Sequence, residues 1–183
     1  LYFGLQRSED GYIHREWAPA AAHLSLVGDF NGWDVHAHPC ERIGDVFEIF
    51  VSDDCGLRAG GRYKVAMQLR PEEWDVRMPA WALCTEQDAS TGEMCAVVPT
   101  TDLSGYAWRH PRPPPPRSLR IYELHVGSSS AATEVATWDH AREQVLPRVA
   151  ALGYTALLLL AVHEHGYYAS FGYMATSYLA PAS

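Results

Sequence analysis

Five prolines in six positions, Pro111 and Pro113 to Pro116, interrupt this chain between Arg109 and Arg117. Each proline fixes φ and removes a backbone donor, so the stretch can enter neither a helix interior nor the middle of a sheet. It reads as an extended, semi-rigid spacer. A proline-rich recognition motif is the competing reading, but the run lies between two differently patterned regions, which favours a spacer. The chain therefore divides into residues 1–98, a spacer over 99–117, and residues 118–183.

The first region alternates short β-patterned runs with turn signals. Tyr12 to Trp17, His23 to Val27 and Val46 to Val51 each read as strands, and none of the region has a helical period. After Gly60-Gly61, the residues Tyr63, Val65, Met67 and Leu69 fall on one face at period two, which sends Lys64 to the other face. About 100 residues of such strands, separated by Gly, Asn, Asp and Pro, predict an antiparallel β-sandwich of immunoglobulin-like type.

The second region changes to a β, α, β order. Leu119 to Val126 reads as a strand, and Trp138, Ala141, Val145, Val149 and Leu152 recur at helical spacing. Thr137 is placed to cap that helix and Gly153 to end it, while Pro147 should kink it or start a second segment. Thr155 to Val162 is a nearly unbroken apolar strand, the pattern of a parallel strand buried on both sides. One such unit cannot close a core alone, so it is expected to need further α/β structure, another protein, or the sandwich as cover.

Charge narrows the partners. Fourteen Lys and Arg against 22 Asp and Glu leave -8, with no basic block, which argues against nucleic acid and suits a neutral ligand. The longest apolar run, Ala156 to Val162, is too short to span a bilayer. Cys40, Cys55, Cys84 and Cys95 form no Cys-x-x-Cys and read as reduced thiols of an intracellular protein, with a disulfide left open. Leu1 in place of Met reads as the mark of a trimmed or processed segment.

Val27-Gly28-Asp29-Phe30-Asn31-Gly32-Trp33 carries a strand into a turn that can hold an indole at the surface. With Lys64 and with Trp74, in Glu72-Glu73-Trp74-Asp75, it would make a platform of two rings and an amine. Rings cover the apolar faces of sugars and an ammonium bonds hydroxyls. The competing reading has Trp33 and Trp74 in the core and Lys64 in solvent. His163-Glu164-His165 invites a metal reading, but no third ligand stands nearby, and no metal or cofactor is expected.

Ser118-Leu119-Arg120-Ile121-Tyr122-Glu123-Leu124-His125-Val126-Gly127, followed by Glu164-His165-Gly166-Tyr167-Tyr168-Ala169-Ser170-Phe171-Gly172-Tyr173, resembles the eukaryotic-type 1,4-α-glucan (glycogen or starch) branching enzymes of the α-amylase superfamily. The likeness extends through Val145-Leu146-Pro147-Arg148, Met78-Pro79-Ala80-Trp81 and Arg15-Glu16-Trp17-Ala18-Pro19, nearly the whole chain. It implies that residues 1–98 are a glucan-binding module, with Trp33, Lys64 and Trp74 at its sugar-contacting places. It also implies that residues 118–183 are the first strand, helix and strand of a (β/α)8 catalytic barrel, with Tyr173 against the sugar at the cleavage site. Leu124 and His163 depart from residues common at those places.

The implied partners are α-glucans: glycogen, amylose and amylopectin. The implied chemistry is a retaining transfer by an Asp nucleophile and a Glu acid/base. The resemblance places both on later strands, so no residue here is read as catalytic, and Glu123 and Glu164 are read as structural. The likeness fits a cytoplasmic glycogen metaboliser or a plastid starch maker. Two alternatives remain open: a non-catalytic glucan-binding protein, and a structural protein on the same scaffold.

Overall fold

The computed structural model describes residues 2–101 and 106–182. Residues 102–105 of the expected spacer, and the outermost ends of the two flanking regions, lie outside the described residues.

Residues 4–97 form two antiparallel sheets. The first contains β1 (Gly4–Ser8), β2 (Gly11–Trp17), β4 (Glu41–Ile43) and β5 (Val46–Ser52), in the order β1-β2-β5-β4. The second is built on the long strand β6 (Arg62–Arg70). Strand β3 (His23–Gly28) pairs along one edge of β6, with Val27 opposite Lys64 and Gly28 opposite Tyr63. Along the other edge β9 (Met94–Val97) pairs at Arg62 and Tyr63, and β7 (Glu73–Arg77) pairs from Val65 onward. Strand β8 (Thr85–Gln87) completes this sheet beside β9.

Alternation decides what enters the core. Tyr63, Val65 and Met67 face inward from β6 and meet Leu24 and Leu26 of β3 and Phe47 and Val51 of β5. Burial of each such side chain contributes about 1.5–3 kcal/mol before the entropy of ordering it is subtracted. One polar pair is enclosed with them: His14 and Glu16 are both fully buried, with His14 Nε2 3.4 Å from Glu16 Oε2. Glu16 Oε1 accepts the Ala80 N–H at 3.2 Å, which ties the 77–82 segment to β2. Only short 3-10 turns, such as Asp29–Asn31, interrupt the β-structure of this half.

Beyond the prolines, β10 (Ile121–His125) and β11 (Ala156–Leu160) pair in parallel, Ile121 against Ala156 through His125 against Leu160. The connection is helical in three pieces: α1 (Trp138–His140), a π turn (Ala141–Val145) and α2 (Leu146–Ala151). Thr137 Oγ1 accepts the His140 N–H at 3.1 Å, as a cap should, and Gly153 takes φ 81° at the end. Pro147 stands in the first turn of α2, where its missing N–H costs nothing, and the π turn before it absorbs the break in the ladder.

One expectation fails here. Leu157, Leu158 and Leu159 of β11 are 38–49% exposed rather than buried on both sides. The helical connection covers only part of one face, with Leu124, Val126 and Ala141 as its small core. Among the described residues this region forms one parallel pair, and no closed barrel.

A second small antiparallel pair, β12 (His163–Glu164) with β13 (Ser177–Pro181), docks on the sandwich. Thr85 Oγ1 donates to Glu164 Oε2 at 3.2 Å, Gln87 Nε2 to the Gly166 carbonyl at 3.3 Å, and Ser177 Oγ to the Ala82 carbonyl at 3.1 Å. Glu164 Oε1 also accepts the His165 N–H at 2.9 Å, so this buried carboxylate is satisfied from both sides. That is the structural role expected for it.

The close approach of β3 to β6 yields a test. A Cβ at Gly28 would lie 2.3 Å from the Arg62 carbonyl oxygen and 3.0 Å from the Tyr63 Cα, both backbone atoms. Gly28→Ala should therefore force the strands apart and lower stability by about 1–3 kcal/mol in urea denaturation.

Candidate functional site

Strand β6 presents Lys64 and Gln68 on its outward face. Trp74 lies directly opposite Gln68 on β7 and so shares that face, about 13 Å from Lys64 at four strand residues. Trp33 follows the end of β3. Its N–H donates to the Gly28 carbonyl at 3.0 Å and its backbone sits at φ 63°. That left-handed conformation is uncommon for a bulky residue and fixes the direction in which the ring leaves the turn.

The loop after Trp33 closes the arrangement. Asn31 bonds back to Gly28 N–H and the Leu26 carbonyl, each at 3.0 Å, and residues 38–40 bond the free edge of β3. Between these ties the His36 ring meets Trp74 edge-on at 5.7 Å. Trp33 and Trp74 are both half-buried, so neither is a core residue and neither stands free of the surface. Lys64 is the surprise: the residue is only 9% exposed, and its ammonium bonds Glu93 Oε2 at 2.9 Å.

A turn between β8 and β9 holds two members of this face. At one end Glu93 pairs with Lys64. At the other Asp88 Oδ2 accepts from Arg62 Nη1 at 2.7 Å. Arg62 donates onward to Asp29 through its backbone N–H, Nε and Nη2, at 3.0–3.2 Å, and Asp29 Oδ1 accepts the Trp33 indole N–H at 3.2 Å. The indole edge is thus anchored through two carboxylates and one guanidinium. Nothing in the local sequence around Trp33 or Lys64 marks Arg62, Asp88 or Glu93 as their partners. The i to i+4 spacing of Asp29 and Trp33 was the one available signal.

Tyr173 stands on the other unit. It is 88% exposed and held through its N–H to the Ser170 carbonyl at 3.0 Å. The C-terminal ends of β10 and β11 open nearby onto a cavity of about 490 Å³, lined by the 125–138 loop, Ala161, His165, Tyr168 and Phe171 but not by Tyr173. Ser128 N–H donates to His125 Nδ1 at 3.2 Å, leaving Nε2 to donate to the Phe171 carbonyl at 3.0 Å. The Trp138 indole N–H closes one side on the Ala182 carbonyl at 2.9 Å. His163 and His165 pack on different tyrosines, Tyr178 and Tyr168. No group of three or more His, Cys, Asp or Glu suited to a metal occurs among the described residues.

The Asp88 carboxylate lies well below the ordinary range, held there first by the Ser90 hydroxyl, then by the Ser90 and Thr91 N–H groups and by Arg62. Asp29 is lowered as well, chiefly by its bonds to Arg62. A depressed carboxylate pKa adds stability that is present above about pH 4 and lost as the pH falls toward the folded-state value. Asp88→Asn should thus be less stable than the parent at pH 7, with the gap narrowing as urea titrations move from pH 5 to pH 2.

Residues 2–82 match carbohydrate-binding module 48, the isoamylase N-terminal domain. The chain is 42% identical over 189 aligned residues to the 1,4-alpha-glucan-branching enzyme of Aspergillus oryzae, covering 99% of this chain and 27% of that protein. It is 40% identical to the Arabidopsis thaliana 1,4-alpha-glucan-branching enzyme 2-2, chloroplastic/amyloplastic, covering 98% and 23%. In fold, it superposes on the Group B Streptococcus pullulanase SAP with a TM-score of 0.77 at 18% identity, over 100% of this chain and 29% of that one. A pullulanase from Anoxybacillus sp. LM18-11 complexed with maltotetraose gives 0.76 at 18%, over 99% and 29%. The chain spans about a quarter of the length of the curated relatives it matches. Residues 2–82 are thus similar to family 48 carbohydrate-binding modules, and the chain is similar, along essentially its whole length, to the N-terminal part of 1,4-alpha-glucan-branching enzymes.

Proposed function

We propose that this chain is the α-glucan-binding front of a branching enzyme. Residues 1–98 act as the binding module, 99–117 as spacer, and 118–183 as the opening strand, helix and strand of the catalytic barrel. The observation that carries this reading is the similarity to branching enzymes across both regions together, rather than across the module alone. The parallel pairing of β10 with β11 through a helical connection supports the barrel assignment, since that is the repeating unit of such barrels. In this reading the exposed leucines of β11 pack against further strands and helices of the barrel.

In this reading Trp33 and Trp74 stack on glucose rings, and the Lys64–Glu93 pair offers a donor and an acceptor to their hydroxyls. Tyr173 packs against the sugar at the cleavage site. The parent reaction moves an α-1,4 chain to a 6-hydroxyl with retention, through a nucleophilic carboxylate and a proton-transferring one about 5–5.5 Å apart. Neither is assigned among residues 1–183. The protein works inside the cell, in cytoplasm or plastid, a placement in keeping with the plastid enzymes among its relatives.

Retardation of the chain in native gels containing amylose or glycogen tests the proposal. The parent should be retarded, and Trp33→Ala or Trp74→Ala should weaken binding roughly tenfold, with the urea midpoint little changed. Incubated alone with amylose, the chain should form no new branch points. Equal mobility of parent and variants with and without glucan would defeat the reading.

A further inference from the structure

The sandwich has a second aromatic surface, on the sheet opposite the one carrying Trp33 and Trp74. In β2, His14 and Glu16 face inward, which sends Ile13, Arg15 and Trp17 outward. Across the ladder, Val46 lies opposite Trp17, Glu48 opposite Arg15, and Phe50 opposite Ile13. Two apolar rows thus flank one charged row. The Arg15 Nε bonds Glu48 Oε2, and the Arg15 guanidinium also lies 4.7 Å from the centre of the Tyr2 ring. Tyr2, Trp17 and Phe50 are 60%, 55% and 52% exposed, more open than either indole of the first platform.

Three large rings left this open on one sheet face are not explained by the core, which β2 and β5 fill from their other sides. Their chemistry selects an occupant. The charged row is an internally neutralised pair, which offers no net charge to an anion or a cation. Its guanidinium is pinned between a carboxylate and a ring, so donors and acceptors stand in fixed places between hydrophobic flanks. Alternating apolar C–H faces and hydroxyls are the matching pattern on a neutral sugar chain.

We propose that the outer face of the β1-β2-β5-β4 sheet is a second α-glucan-binding surface, with Tyr2, Trp17 and Phe50 stacking on glucose rings and the Arg15–Glu48 pair bonding hydroxyls. The inference rests on the glucan-binding reading above. With Trp33 and Trp74 on the opposite sheet, one module then holds two glucan segments, and binding to a long polymer exceeds either contact alone.

Amylose affinity electrophoresis of the 183-residue chain, beside calorimetry with maltoheptaose, tests it with Trp17→Ala, Phe50→Ala, Trp33→Ala and the Trp17→Ala/Trp33→Ala double variant. Trp17→Ala and Phe50→Ala should each weaken amylose binding roughly three- to tenfold, and the double variant should lose more than either single change. Trp17→Phe, which keeps a ring, should recover most of the loss, whereas a merely structural defect would persist as a lowered urea midpoint. Binding unchanged in Trp17→Ala and Phe50→Ala but reduced in Trp33→Ala overturns this second surface and leaves the first standing. No change in any variant removes the glucan reading itself. Dimerisation that Trp17→Ala abolishes, with amylose binding intact, assigns the face to a second copy of the chain and also overturns the proposal.

Discussion

Strand β6 is the constraint on which the first half of the molecule depends. One of its faces must fill the core, so every second residue is turned away from that core, whatever stands there. Tyr63 and Val65 point inward and are sealed. Lys64 therefore has to leave the sheet on the far side, beside Val27 of β3, and four residues on the same rule brings Trp74 to that side through Gln68. A slip of one residue in this strand would turn an ammonium into the apolar core and a tyrosine out of it. The placement of Lys64 and Trp74 on one face is thus a by-product of the packing behind it.

The electrostatics of that face come from farther away in the chain. Asp29 takes both the indole N–H of Trp33 and the guanidinium of Arg62, and Arg62 reaches Asp88 in the turn that also supplies Glu93 to Lys64. These pairs are partly solvated, so each contributes modestly to stability. Their effect is positional, because a ring with its edge bonded loses less rotational freedom when a ligand arrives.

What could be read from the residues alone follows from range. The inward row of β6, the cap at Thr137 and the break at Pro147 are local patterns, and all three appear in the structure. The partner of Lys64 and the far end of the chain of bonds behind Trp33 are not local: Glu93 reaches Lys64 and Asp88 reaches Arg62 only because β9 pairs with the start of β6. Burial of Lys64 was invisible for the same reason, since period two gives the face of a side chain but not what a distant turn lays across it. The doubly buried reading of residues 155–162 came from composition, and composition reports the layers a strand is built for rather than the layers these residues supply.

The bare parallel pair has a consequence for handling. Strands β10 and β11 each keep one edge without a partner strand among the described residues, and Ile121, Leu157, Leu158 and Leu159 line them at high exposure. Open edges with exposed apolar side chains are templates for association between molecules, and Glu123 of β10 is the one acidic residue placed along them. At high concentration, association would begin at the second half of the chain, whose leucines stand open, before the sandwich, whose aliphatic side chains fill its own core.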